Sequence, residues 1–129
     1  MRVLPVLFAA ALLQACALHE ERAYQITCPR PSDAARVQYI LRDIARQVGL
    51  PDSPRGGPSS VLAFHQGFNV LLRANAERDS IDVFLSRSDW PPPKAFVTAD
   101  RLLPHALSAA FGTRFEIPKE QLIGQITVQ

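Results

Sequence analysis

The chain has 129 residues, of which 47% are apolar and 20% are charged. This length predicts one domain, and the apolar fraction excludes an intrinsically disordered polymer. The formal net charge is +2, which is too small to recruit nucleic acid or to steer an acidic substrate toward the protein.

The first 15 residues are typical of an export signal. Arg2 supplies a positive charge, and the segment Val3–Leu13 carries none. As a helix this segment would span about 16 Å, which is about half of a bilayer's hydrocarbon core and too short for a comfortable transmembrane helix. It fits the hydrophobic region of a secretory signal peptide instead.

A lipidation motif ends this segment. Leu13-Gln14-Ala15-Cys16 resembles the lipobox of bacterial lipoproteins, in which an aliphatic residue stands three positions, and a small residue one position, before an obligatory cysteine. The resemblance implies cleavage between Ala15 and Cys16, diacylation of the Cys16 thiol, and stable anchoring by several acyl chains. Ala17 is not the aspartate associated with inner-membrane retention, so the resemblance implies the periplasmic face of the outer membrane.

Other uses of this region stay open. Cleavage after Ala17 by an ordinary signal peptidase would release a soluble periplasmic protein. A disulfide between Cys16 and Cys28 would exclude lipidation. If Cys16 is lipidated, Cys28 is left alone, and its neighbours in sequence favour a small buried hydrophobe over an intermolecular bridge or a reactive thiol.

The residues before the domain predict a tether and a short strand. Residues 17–22 are polar enough for a tether, and residues 23–27 alternate like a short edge strand that Pro29 stops. Residues 16–31 are therefore assigned to the lipidated cysteine, the tether and this strand, and residues 32–129 to a single periplasmic domain.

A helix is predicted over residues 33–48. Ser32 is a favourable N-cap, and Asp33 lies in the first turn, where the helix dipole favours an anion. Gly49 and Pro51 end the helix. Its apolar face repeats with a period of 3.6 and consists of Val37, Ile40, Leu41, Ile44, Ala45 and Val48.

A Pro- and Gly-rich loop is predicted over residues 51–60. Beyond it the spacing of apolar residues changes from the helical period of 3.6 to the strand period of two. Strands are predicted over residues 61–66, 68–74 and 81–86, with a tight turn at Gly67.

A second helix and a last strand complete the chain. The helix has an apolar face from Leu103 to Phe111, Thr98 or Asp100 as its cap, and Pro104 as a kink near its first turn. Residues 122–128 predict the last strand.

The resulting order is β-α-β-β-β-α-β, which predicts an α+β fold. Two helices most economically cover one face of a mainly antiparallel sheet of four or five strands, as a two-layer sandwich. The order resembles the split β-α-β arrangement of ferredoxin-like folds with an extra strand, and element order carries no activity.

The residue types that carry chemistry form no recognisable motif. The histidines are His19, His65 and His105, and no two of them have the i, i+4 spacing of a helical metal site. The chain also lacks Cys-x-x-Cys and a phosphate-binding Gly-rich loop. We expect no cofactor and no metal, and we expect His65 to be a hydrogen-bonded structural residue.

A Trp- and Pro-containing segment is the candidate interaction surface. Its polyproline II geometry is preordered and loses little entropy on binding, and Trp and Arg are common interface anchors. The structural alternative is that Trp90 folds back over a sheet edge or the open end of the core. The candidate residues are Arg87, Asp89, Trp90, Pro91, Pro92 and Pro93.

The sequence thus predicts a small envelope lipoprotein that acts as a protein-binding accessory subunit. Tethering raises the effective concentration at the membrane, so modest affinity for another envelope protein suffices. One alternative is an immunity or inhibitor protein that caps a toxin or hydrolase. Another is a small periplasmic enzyme that uses His65 or His105 with nearby carboxylates. No nucleic-acid partner is expected.

Overall fold

The structure is a computed structural model that describes residues 18–52, 61–88, 91–118 and 126–128. It confirms the predicted α+β class, with two helices and an antiparallel sheet. In chain order the elements are β1 (Leu18–Thr27), α1 (Asp33–Val48), β2 (Val61–Gly67), β3 (Val70–Ala76), β4 (Ser80–Arg87), α2 (Lys94–Phe111), a 3₁₀ turn (Gly112–Arg114), β5 (Phe115–Glu116) and β6 (Ile126–Val128).

The strands lie across the sheet in the order β2-β3-β4-β1-β5, and β6 also pairs with β1. All of these pairs are antiparallel. The turns between β2, β3 and β4 fall at residues 68–69 and 77–79. Gly67, predicted as the turn itself, is the last residue of β2.

β1 corrects the prediction of a tether followed by a short edge strand. The strand begins at Leu18, so most of the predicted tether is sheet, and it lies inside the sheet between β4 and the β5–β6 edge. The physical reason is the alternation of side chains along a strand. Glu20 and Arg22, which look like solvated residues in the sequence, share a face with Tyr24 and are neutralised beneath α2.

The helices pack against each other and against one face of the sheet. The predicted helix over residues 33–48 has these bounds in the structure, and its apolar face is the buried one. Alternate residues of the central strands point into the same core. The core side chains that are fully buried include Ile26, Val37, Leu41, Val70, Leu72, Val83, Leu85, Leu103 and Leu107.

α2 begins earlier than the sequence pattern indicates. Its first residue is Lys94, directly after Pro93, so neither Thr98 nor Asp100 caps it. Pro104 therefore lies in the middle of the helix, where its missing N–H removes one hydrogen bond without ending the element.

The end of the chain is described only in part. The predicted last strand over residues 122–128 is present at 126–128, where β6 pairs with the start of β1. Residues 119–125 lie outside the described residues.

The N-terminus of α1 is held by Asp33 and not by the predicted Ser32 cap. The Ser32 side chain makes no capping hydrogen bond. Asp33 Oδ2 accepts a hydrogen bond from the Arg30 backbone N–H at 2.8 Å and forms an ion pair with Arg114. Arg114 also donates to the Cys28 carbonyl oxygen at 3.3 Å. These contacts join the start of α1 to the turn that follows α2.

Replacing Asp33 with Asn is expected to make the free energy of unfolding depend less on pH in acid solution. The Arg114 guanidinium lowers the pKa of the Asp33 carboxyl below its ordinary value of 3.8. The stabilisation is therefore complete above that ordinary value and is lost as the pH falls through the folded-state pKa. Urea unfolding from pH 7 to pH 2 should show that Asp33→Asn is less stable at pH 7 and that the two curves approach each other below pH 3.8.

The matched control is Asp43→Asn, because Asp43 forms an exposed ion pair with Arg46 on the same helix. Exposed pairs contribute little, so this variant should follow the unmodified chain at every pH. A constant offset between the Asp33→Asn curve and the unmodified curve, with no convergence, would contradict the role assigned to the carboxylate.

Candidate functional site

Arg87, predicted as part of an exposed interaction surface, lies in the interior. It continues the inward-facing series of β4 after Val83 and Leu85, because side chains alternate along a strand. Its side chain is 3% exposed, and its Nε and Nη2 lie 2.7 and 2.5 Å from Glu20 Oε2. The prediction that Arg87 is an exposed interface anchor is therefore wrong.

The rest of the predicted segment divides between exposed and half-buried residues. Pro91 is exposed, and Pro92 and Pro93 are half-buried just before α2. Asp89 and Trp90 lie outside the described residues.

Four charged side chains form an internal ion network between β1, β4 and α2. Glu20 lies between two guanidinium groups, since its Oε1 is also 2.5 Å from Arg22 Nη2. Arg22 Nε in turn lies 3.2 Å from Asp100 Oδ1. Two carboxylates thus balance two guanidinium groups. The members are Glu20, Arg22, Arg87 and Asp100.

Two aromatic side chains, Phe96 and Tyr24, lie beside this network. The guanidinium carbons of Arg22 and Arg87 lie 5.9 and 5.4 Å from the centre of the Phe96 ring, within the range of cation–π attraction. Burial, together with the Asp100 carboxylate, raises the pKa of the Tyr24 hydroxyl, which therefore stays protonated at physiological pH. The network fixes β1, β4 and α2 relative to one another.

His65 is buried on the helix-facing side of β2, as expected, but the hydrogen bond expected of it is not formed at Nδ1 with any described residue. Its Nδ1 lies 2.8 Å from Asp52 Oδ1, but within the described parts of the chain that nitrogen has no hydrogen bond of acceptable geometry. Burial lowers the pKa of His65, and the Asp52 carboxylate only partly opposes this effect. The imidazole is therefore neutral at pH 7.

The histidines lie on separate elements: His19 on β1, His65 on β2 and His105, exposed, on α2. Among the residues that the structure describes, no three His, Cys, Asp or Glu side chains are grouped so that they could hold a metal ion.

Cys28 is exposed, which corrects the expectation of a buried hydrophobe. It follows the last residue of β1 and has a φ of 48°, so it belongs to the turn and not to the strand. Leu18 and Cys28 lie at opposite ends of a strand about 33 Å long. Two residues span about 7 Å at most, so an intact β1 excludes a disulfide between Cys16 and Cys28 of one chain.

An apolar groove lies between α1 and α2 on the outer surface. Its volume is about 370 Å³, and it lies near the start of α1 and the end of α2. We call it the interhelical groove. Its lining residues are Ala35, Arg36, Tyr39, Ile40 and Ala110.

Two side chains give the interhelical groove its chemical character. Tyr39 is 71% exposed. Arg36 is held in place, because its Nη2 donates to the Ala110 carbonyl oxygen at 2.8 Å and its guanidinium lies 4.9 Å from the centre of the Phe111 ring. An exposed aromatic ring beside a fixed guanidinium is typical of a protein interface.

Tyr39 is not among the interface residues predicted from the sequence. The signal available there was a large aromatic residue on the polar side of α1, outside the apolar stripe that begins at Val37. Whether that ring is exposed or covered depends on α2, which the helical period does not describe.

No protein-family model, curated protein or solved structure matches the chain. No helix in the described ranges is long and apolar enough to cross a membrane.

Replacing Glu20 with Ala should destabilise the domain severely. The substitution removes the carboxylate that contacts the Arg22 and Arg87 guanidinium groups, and breaking a buried ion pair in this way costs about 3–5 kcal/mol. The free energy of unfolding in urea measures this loss. The matched control is Glu21→Ala on the opposite face of β1, where the 3.3 Å contact with His19 is partly exposed.

The Glu21→Ala loss should be below about 1 kcal/mol, because exposed ion pairs are weak. Equal losses for the two variants would show that the network does not hold β1 in the sheet.

Proposed function

We propose that the chain is a bacterial envelope lipoprotein that holds a protein-binding domain at the periplasmic face of the outer membrane. In this proposal Cys16 carries the lipid and the interhelical groove receives another envelope protein. The anchor is supported by the Leu13-Gln14-Ala15-Cys16 motif. The observation that carries the binding function is the exposed Tyr39 ring in an apolar groove.

The groove suits a protruding apolar side chain of a partner. Ala35 and Ala110 are small, which leaves space between the helices. Tyr39 offers a large apolar area with a polar tip, and Arg36 offers a guanidinium that is already ordered, so binding costs little additional side-chain entropy. These properties favour a protein partner over a small polar molecule.

The position of the groove fits attachment through the N-terminus. The start of α1 follows the Thr27 end of β1, whereas Cys16 precedes the Leu18 end. A partner can therefore reach the groove from the side away from the anchor. Confinement to the membrane raises the local concentration of both proteins, so moderate affinity suffices.

Replacing Cys16 with Ser should move the protein from the membrane fraction to the soluble fraction, because serine cannot carry the thioether-linked lipid. Mass spectrometry of the mature N-terminus should find acyl chains on the protein that retains Cys16 and none on the Cys16→Ser variant. The matched control is Cys28→Ser, which removes an exposed thiol at the other end of β1 and should leave fractionation unchanged. A Cys16→Ser protein that still requires detergent would refute the anchor.

Replacing Tyr39 with Ala should weaken partner binding while leaving the domain folded. A central aromatic residue of an interface contributes about 2 kcal/mol or more, which corresponds to a loss in affinity of at least tenfold. Envelope proteins that co-purify with the lipidated chain in stoichiometric amounts identify the partner, and titration with the purified partner measures the loss.

Arg101→Ala is the control for this measurement, because Arg101 is exposed on α2 and does not line the groove. It should bind as tightly as the unmodified chain. Full affinity in Tyr39→Ala would show that the partner uses another surface.

A further inference from the structure

We propose that the end of the domain at which β1 begins lies on the lipid surface, and that Phe68 makes a second, non-covalent contact with the bilayer. We call this region the anchor end and define it by Leu18, Phe68, Asn69, Ser88 and Pro91. The placement deepens the proposed function and rests on the proposed lipidation of Cys16.

The register of the sheet brings Phe68 level with the start of β1. Val70 pairs with Arg87, and Arg87 pairs with Glu20. The β2–β3 turn follows Val70 toward the same end, so Phe68 and Asn69 lie at the level of the first residues of β1. β3 lies two strands from β1, so the lateral separation is about 10 Å.

The turn that holds Phe68 is fixed to the neighbouring chain. The Ser88 backbone N–H donates to the Asn69 carbonyl oxygen at 3.1 Å. The β2–β3 turn and the end of β4 therefore form one continuous surface next to the start of β1.

Little chain separates the proposed lipid from this surface. Cys16 precedes Leu18 by two residues, which span about 7 Å at most. The headgroup layer on each side of a bilayer is about 5–8 Å thick. A lipidated Cys16 therefore keeps the start of β1 at the lipid surface. Because β1 is paired on both sides, it cannot swing away from the rest of the sheet.

Phe68 is unfavourable in this position for the domain alone. Its side chain is 85% exposed, so it adds little to the core. Phe68 and Asn69 have φ values of 48° and 62°, as in a type I′ turn, where Gly or Asn is preferred and other residues are strained. An aromatic ring gains burial in the headgroup region of a bilayer, which offsets both disadvantages.

Charge at this end favours an apolar contact over an electrostatic one. Three described basic residues that are exposed toward this end, Arg42, Arg46 and Lys94, are matched by three acidic ones, Glu21, Asp43 and Asp52. Glu20, Arg22 and Arg87 are paired inside the domain. The described residues at this end therefore carry no positive excess that would attract anionic lipid, and the contact should depend little on salt.

The test uses two variants of the lipidated protein, each with a single tryptophan as fluorescent reporter, one at the anchor end and one at the interhelical groove. Trp90, the only tryptophan in the chain, is replaced with Phe, and Trp is then introduced by Phe68→Trp or by Tyr39→Trp as the matched control. Each protein is reconstituted into phosphatidylethanolamine–phosphatidylglycerol vesicles, with or without brominated acyl chains. Bromine quenches tryptophan by contact.

We expect the Trp at position 68 to be quenched several-fold more than the Trp at position 39, and to emit at shorter wavelength in vesicles than in detergent-free Cys16→Ser protein. Equal weak quenching at both positions, in protein that floats with the vesicles, overturns the placement and leaves the anchor intact. Stronger quenching at position 39 overturns it as well. Protein that does not float with the vesicles refutes the anchor and the placement together.

A second variant separates a lipid contact from a structural role. In the Cys16→Ser chain, Phe68→Asn should raise the urea midpoint of unfolding, because Asn adopts positive φ more readily than Phe. A lower midpoint would show that Phe68 stabilises the domain itself and would overturn the inference.

Discussion

The neutralisation of Glu20 is the interaction on which the arrangement of the sheet depends. A lone carboxylate beneath a helix would carry a large desolvation cost, and Glu20 avoids this cost because Arg22 and Arg87 contact its two oxygens. The Phe96 ring closes over both guanidinium groups. This arrangement allows a strand whose first half is charged to lie between two other strands instead of at an edge.

A second ion cluster stabilises the end of the domain at which β1 ends and α1 begins. Asp33 at the start of α1 and Arg114 after α2 join the two helices to the turn at the end of β1. Arg114 and Arg36 both lie over the Phe111 ring, at 5.7 and 4.9 Å from its centre. The same contacts therefore fix the end of the fold and one wall of the interhelical groove.

The Glu20 ion network and the Asp33–Arg114 ion pair lie toward opposite ends of the domain, and these two ends have different surfaces. The end that begins with Leu18 contains the exposed Phe68, and the opposite end contains the groove with Tyr39. In the function proposed here, the first end faces lipid and the second faces a protein partner. In that arrangement the sheet between the two ends would hold the groove away from the membrane.

Periodicity in the sequence determined the bounds of α1, the approximate positions of β2, β3 and β4, and the fold class that follows from the order of the elements. Local pattern determines these features because backbone hydrogen bonds and side-chain alternation act over a few residues. It did not determine the length of β1 or the start of α2. Only the tertiary structure decided which charges are internal, since Glu20 meets Arg87 across 67 positions and Asp33 meets Arg114 across 81. For the same reason Arg87, an interface candidate in the sequence, is buried, while Tyr39 is exposed: burial depends on which distant element packs above a residue.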